Sequence, residues 1–429
     1  MPTTLDWLRT RDDRALVALL RARPDLTVPA PGDLTVLAGR LNTGPSVWRA
    51  MESLNQFHIQ VLQGLAVLGA EKRAVGRSDL QQLLGGTVPS TALDAALDKL
   101  ESLALVRGSD QIHMPSAVLA VLGPYPAGLG SPGTLTVAAA TAAVQNLEPA
   151  ARGLLDRLAT GIPRGTTDSR SKISKAVTTL IADGLLRRVD PATVELPREV
   201  GLALRGDEPL GPIHVEPPKD TAVKHGVPTV DGTGGGQALA TVDRLGRLLD
   251  AIGQNPPPAL KSGGLGVREL RRLAKTLGTD EPTTALDIEI LAASGMIAAA
   301  DARGRVTESW TPTADADDFL DGPDEAAWAQ VAAVWLDLRR NPARVGTRDA
   351  ADKPLNALAP ELSWIRGPAE RRFVLNALAE LPPGWGLDPE SLTSLLAWRS
   401  PLRPAEQRDV VISRRSPRPP RWGWSPSPR

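Results

Sequence analysis

The sequence predicts a mainly α protein with small β hairpins, built from repeated units and closed by a helical domain. Three observations carry that expectation. Aromatic residues are only 3% of the 429, and ten of those rings are Trp, so the cores must come from Leu, Ala, Val and Ile, which suits helices more than sheets. Apolar residues recur at helical spacing through most of the chain. One order of parts also occurs three times: an apolar helix, a terminating residue, a hairpin with Asp at its turn, and a closing Pro.

The chain opens with Leu5, Leu8, Leu16, Leu19 and Leu20 at helical spacing and breaks at Pro24. Short helices follow from Asp33 and Pro45, so residues 1–53 are expected to form an N-terminal helical cap. The first unit, 54–123, begins with a broad apolar stripe of Leu54, Phe57, Val61, Leu62, Leu65 and Leu68. A short helix carrying Leu80, Leu83 and Leu84 stops at Gly85-Gly86, and a second starts at a Ser90 N-cap with Leu93, Ala96, Leu97, Leu100 and Leu103 on one face. Leu105-Val106, the turn Gly108-Ser109-Asp110 and Ile112 to Met114 make a hairpin closed by Pro115. Two helices followed by such a hairpin make a winged helix.

Residues 124–145 hold the Pro- and Gly-dense GPYPAGLGSPG stretch and are expected to be a linker. The second unit, 146–205, repeats the pattern. An amphipathic helix over Asn146 to Ala159 precedes one with Ile173, Val177, Leu180 and Ile181 that ends at Gly184. Leu185 to Val189, the turn Asp190-Pro191-Ala192, and Thr193 to Leu196 then form the hairpin, closed by Pro197. Residues 206–236, rich in Pro, Gly and Thr and without apolar period, are expected to be a second linker or surface insertion. The third unit, 237–322, carries Leu270, Leu273 and Leu277, then Leu286, Ile290 and Leu291, and a longer hairpin from Met296 to Trp310 with its Pro at 312. Residues 323–400 are plain amphipathic helices.

Residues 401–429 lose all amphipathic period, and Pro, Arg, Ser and Trp dominate them. A basic tail with polyproline character is one reading, and an out-of-frame stretch of GC-rich coding sequence is the other and the favoured one. Seven Arg there against Glu406 and Asp409 leave residues 1–400 at net −5 in a chain of zero net charge, which is not the profile of a strongly basic nucleic-acid binder. Zero cysteines exclude disulfides, thiolate metal sites and a Cys nucleophile, and fit a reducing cytoplasm. No uncharged apolar run reaches the roughly 18 residues of a membrane span.

The stretches LDWLRTRDDRALVALLRARPDL, SDLQQLL, DGLLRRVDPATVELPREVGLALRG with its GPIHVEPP continuation, and WTPTADADDFL before AAVWLDLRR resemble an actinobacterial family of helicase-associated proteins. Those proteins carry an XPB-like helicase N-terminal or C-terminal-associated domain. The resemblance covers about residues 3–400 and corresponds to the family's N-terminal half, so the chain is expected to be truncated before the family's α/β module. It implies a role beside a helicase or DNA-repair protein and maps no catalytic residues onto this sequence.

A helicase label raises the question of ATP hydrolysis, which needs G-x-x-x-x-G-K-[ST]. No such string occurs, and neither Gly232 to Gly236 nor Ser262 to Gly266 is followed by Lys and Ser or Thr, so no catalytic site, cofactor or enzyme activity is expected. His58 and His113 read as structural, and His214 and His225, with Glu216 and Asp220, lie in a loose segment poorly suited to hold a metal. For nucleic acid, the first unit's second helix exposes Asp94, Asp98 and Glu101 against Lys99. The third exposes Glu281, Asp287 and Glu289 after a helix with Arg268, Arg271, Arg272 and Lys275. Only the second unit carries the right charge: Arg164, Arg170, Lys172 and Lys175 before or along its helix, and Arg187 and Arg188 at the start of its wing. The expectation is a non-catalytic cytoplasmic protein that contacts DNA there. The alternative is a protein-interaction scaffold of the same modules that touches no nucleic acid, with Trp310, Trp328, Trp335, Trp364, Trp385 and Trp398 as possible anchors but better suited to core packing.

Overall fold

The computed structural model describes residues 3–86, 88–166, 174–219, 222–261, 264–300 and 306–404. The chain is mainly helical, 58% helix against 9% strand, and its sheets are small, as the composition predicts. It divides into two compact units, residues 1–218 with 397–403, and residues 219–396 with 404–429.

In the first unit, α1 (Thr4–Arg9), α2 (Asp13–Ala22), α3 (Leu34–Leu41) and α4 (Gly44–Met51) precede α5 (Gln56–Leu68). Oxygen-bearing side chains set several of these starts by accepting from first-turn amides: Thr3 from Asp6, Asp12 from Ala15, Asp33 from Val36, and Asn55 from His58. α5 stops at Gly69, whose φ of 78° is left-handed. The buried Arg23 ties the early helices together, donating to the carbonyls of Leu103 at 2.9 Å and Ser46 at 2.8 Å and pairing with Asp25 at 3.1 Å.

Next come β1 (Val75–Gly76), α6 (Arg77–Leu84), α7 (Ser90–Ser102), β2 (Gln111–Ile112) and α8 (Ser116–Leu122). Pro89, one residue before the expected Ser90, occupies the N-cap position of α7. β1 pairs antiparallel with β2, Val75 opposite Ile112, while Arg107 bridges His113. The hairpin therefore gains a strand from the segment between α5 and α6. Leu54, Leu62, Leu65, Leu80, Leu93, Leu100 and Ile112 form one continuous core beneath these elements.

The same order recurs in α9 (Val137–Gln145), α10 (Pro149–Thr160), β3 (Arg164–Thr166), α11 (Ser174–Ala182), β4 (Arg187–Arg188), β5 (Thr193–Glu195) and α12 (Arg198–Arg205). The sheet order is β3-β5-β4, so again the strand before the second helix pairs with the returning strand. Leu155, Leu158, Val177, Leu180, Leu186, Val194 and Val200 fill this core. The expected linker over 124–145 is corrected in part: α9 buries Ala140 and Val144 in it, because Val137 to Val144 is apolar enough to pack as a helix. Residues 206–218 are not a loose insertion either. Leu210 is buried in the first core, and Gln60 donates to the Pro212 carbonyl at 2.7 Å and accepts from the His214 amide at 2.9 Å.

The compact unit that starts at residue 219 begins with β6 (Val223–Lys224) and α13 (Val227–Gln254), followed by α14 (Val267–Leu277), α15 (Glu281–Ala293), β7 (Ile297–Ala300) and β8 (Val306–Pro312). The last part of the expected linker over 206–236, residues 227–236 with the glycine run, is instead the start of α13. Its packed face begins only further on, with Leu245, Leu248, Leu249 and Ile252 buried, and the exposed first turns extend a helix nucleated there. β7 pairs with β8, Pro258 bridges Ser309, and Pro312 closes the hairpin before α16 (Ala314–Asp321). α17 (Asp324–Asp337), α18 (Gly367–Ala379), β9 (Trp385–Gly386) and α19 (Pro389–Arg399) are the last helices and strand among the described residues.

α15 departs from the sequence reading. Asp287 and Glu289, expected on its exposed face, are 1% and 0% exposed. Arg244 of α13 donates to Asp287 at 2.6 Å, and Arg340 pairs with Glu289, which also accepts from the Leu358 amide at 2.6 Å. Burial pushes the Asp287 carboxyl up against the opposing pull of Arg244. A helix closed in on its acidic face cannot present that face to a ligand.

Candidate nucleic-acid interface

The basic residues singled out in 146–205 sit on two elements. Arg164 lies on β3 and Arg187 on β4, and both are register partners of Glu195 on β5, so the three form a row across the sheet, Arg164, Glu195, Arg187. The carboxylate takes one guanidinium on each oxygen, Arg164 Nε to Oε2 at 3.1 Å and Arg187 to Oε1 at 2.7 Å. Oε1 also accepts from the Ser131 amide at 2.9 Å, and Oε2 from the Tyr125 hydroxyl at 3.1 Å. The Arg164 guanidinium lies 5.2 Å from the centre of the Tyr125 ring.

Glu195 is fully buried, whereas Arg164 and Arg187 keep 45% and 47% of their side chains exposed. Burial alone would push this carboxyl up, but the Ser131 amide, Arg164 and Tyr125 outweigh it and hold it at about 2. The Tyr125 hydroxyl is pushed up by burial and by the adjacent carboxylate. Glu195 therefore stays charged at any physiological pH and fixes two cations whose outer edges face solvent. This arrangement positions rather than reacts: the carboxylate has four donors and no proton to exchange near neutral pH.

Arg188 is exposed, its guanidinium donating to the Pro191 carbonyl at 3.0 Å across the hairpin turn. That turn is the expected Asp190-Pro191-Ala192, with Asp190 accepting from the Ala192 amide at 2.8 Å. Lys175 lies exposed in the first turn of α11. Arg170 and Lys172 lie outside the described residues. The structure thus brings Arg164 and Arg187 together around one anion and places Arg188 at the tip of the same sheet. Glu195, Tyr125 and Ser131 went unnoticed in the sequence. A strand reading of Thr193 to Leu196 turns Glu195 outward, and its only signal was a lone carboxylate in an apolar strand within reach of several Arg.

The other units give their charges to internal pairs. On α7, Asp94 meets Arg77 at 2.6 Å and Glu101 meets Arg11 at 2.5 Å, with Asp98 and Lys99 exposed. On α14, Arg271 pairs with Glu281 and Arg272 with Glu269, while Arg268 and Lys275 are exposed. His58 is pushed down to about 4, first by burial and then by Lys99. Among the described residues no group of His, Cys, Asp and Glu has the arrangement to hold a metal. Among the described residues no helix is long and apolar enough to cross a membrane. No protein-family model, curated protein or solved structure significantly matches this chain.

Proposed function

We propose that this chain is a non-catalytic, helicase-associated winged-helix protein that binds DNA through its second unit, beside a helicase or DNA-repair partner in the cytoplasm. The observation that carries the proposal is the cationic edge of the β3-β5-β4 sheet. Arg164 and Arg187 are held outward by Glu195, with Arg188 at the hairpin tip and Lys175 on the neighbouring helix. In a winged helix the second helix enters the major groove and the wing follows the phosphates. Cations on both elements suit that docking. One buried anion offsets part of the charge, so the expected mode is backbone contact of moderate strength rather than base reading. The resemblance of DGLLRRVDPATVELPREVGLALRG to the helicase-associated family supports the same reading and adds the partner class.

The scaffold alternative is favoured by a different observation: α7 pairs Asp94 and Glu101 internally and exposes Asp98, and α15 buries Asp287 and Glu289, which leaves neither helix a cationic surface for phosphates. A salt titration of DNA binding by the full chain separates the readings, because phosphate contacts weaken steeply with salt and a scaffold shows no DNA binding even at low salt.

A further inference from the structure

The compact unit of residues 219–396 carries an apolar groove of about 490 Å³ between α13, α15 and α17. Trp328, Val331, Trp335, Leu286, Ile290 and Leu375 line most of it, and Trp328 is 41% exposed. A Trp left this open at the mouth of an apolar groove is unusual for a residue that serves packing alone.

The cations around the groove are engaged internally: Arg371 is buried against Trp335, 5.3 Å from the ring centre, and donates to the Leu338 carbonyl at 2.6 Å, and the others are ion-paired. Arg244, in its floor, is bound to Asp287 at 2.6 Å; one turn along α13, Arg247 is bound to Asp243 at 3.1 Å. On α18, Arg372, one turn before Leu375, is bound to Asp337 at 2.6 Å. By contrast Asp321, Asp324 and Glu325 are all exposed, and none has an ion pair among the described residues. Asp324 and Glu325 precede Trp328 by four and three residues on α17, the spacing that puts side chains on one helix face. The groove is thus apolar along its length and anionic at its Trp328 end.

We infer that this groove is a docking site for a cationic amphipathic helix of a partner protein. The partner's apolar stripe would enter between Trp328, Leu286 and Ile290, and a Lys or Arg one turn away would meet Asp324 and Glu325. A second copy of this chain is a weaker occupant on charge grounds, since at zero net charge it offers no overall attraction to these carboxylates. The inference does not depend on the nucleic-acid reading.

The test uses the full chain and two fluorescent designed helices of about 18 residues with the same Leu face, one with Lys and one with Glu on the polar face. The Lys helix is expected to bind, and the Glu helix at least about tenfold more weakly. Trp328→Ala and the double change Asp324→Asn/Glu325→Gln should each weaken the Lys helix by about tenfold or more, while Asp94→Asn/Asp98→Asn, remote in the chain, should not. Circular dichroism and Tm of the variants verify that the fold is kept, and should a Trp328→Ala chain unfold, Trp328→Phe together with the carboxylate pair decides. Equal binding of both helices, equal loss with the control variant, or no binding of the Lys helix overturns the inference. So does a concentration-dependent dimer abolished by Trp328→Ala, which would assign the groove to a second copy.

Discussion

Arg164 donates to the buried carboxylate of Glu195 at 3.1 Å while nearly half of its own side chain stays in solvent. One residue is spent inside the sheet so that others keep their place at its surface. Because Arg187 reaches the other oxygen at 2.7 Å, removing the anion strands two cations together.

Glu195→Gln is therefore expected to destabilise the chain by about 2–4 kcal/mol, below the roughly 3–5 kcal/mol for removing one partner of a fully buried pair because both arginines are nearly half exposed. DNA binding at low salt should persist or strengthen in whatever fraction remains folded, since the sheet edge gains a net positive charge. Chemical denaturation and gel shift on the same preparation check both halves. Loss of DNA binding in a folded Glu195→Gln chain would contradict the charge argument and show that the carboxylate is needed to place the two arginines.

The acid limb of stability depends on the same group. The Glu195 carboxyl is held below its ordinary value, at about 2, so its contribution is complete above the unfolded value near 4.5 and fades as pH falls from there toward 2. His58, held down at about 4, is stabilising as the neutral form; its contribution is complete above about 6.5 and is lost as pH falls from 6.5 toward 4. Urea midpoints measured from pH 7 to 3 should fall in two overlapping stages, and His58→Gln should flatten the upper one. An unchanged upper stage in that variant would sink the assignment.

Arg244 and Asp287 form a largely buried pair 2.6 Å apart, in which burial pushes the Asp287 carboxyl up while its hydrogen bond pushes the Arg244 guanidinium up. Arg244→Met should cost about 3 kcal/mol by leaving the carboxylate alone, and Arg244→Met/Asp287→Leu should recover most of that loss. Denaturant midpoints of the single and double variants report the coupling.

The glycine run 232–236 separates helix from linker directly. Gly234 and Gly235 have open space around a would-be Cβ, so Gly235→Ala should raise helicity and stability by up to about 1 kcal/mol, and Gly235→Pro should lower helicity. In a linker neither change would register in far-ultraviolet circular dichroism.

These positions also mark how far the sequence could be read. The hairpins of the two units with tight turns were legible, because Gly108 and Asp190-Pro191 stand between alternating apolar residues and Pro115 and Pro197 end them. Gly108 shows why its turn is so specific: at φ 85° a Cβ there would lie 2.4 Å from the Gln111 carbonyl oxygen. The strands β1 and β3 were too short to show an alternation of their own. Asp287 and Glu289 were read as exposed because local period sees only one helix, while their partners Arg244 and Arg340 lie 43 and 51 residues away. Glu195 failed for a related reason: β5 is covered on both faces, its Glu195 side by Tyr125 and the Ser131 amide from a segment more than sixty residues earlier, so an outward position in the alternation is not an exposed one.

The central proposal, phosphate contact through the second unit, is tested most directly by the salt dependence of DNA affinity for the full chain and for Lys175→Ala/Arg188→Ala. Both residues are exposed and neither touches Glu195, so the variant should fold normally. With about four cations at the interface, log K should fall against log salt with a slope of about −3 to −4, and the variant should reduce that slope by about 2. No binding at low salt, or a slope the variant leaves unchanged, would contradict the account and leave the protein-interaction scaffold as the reading.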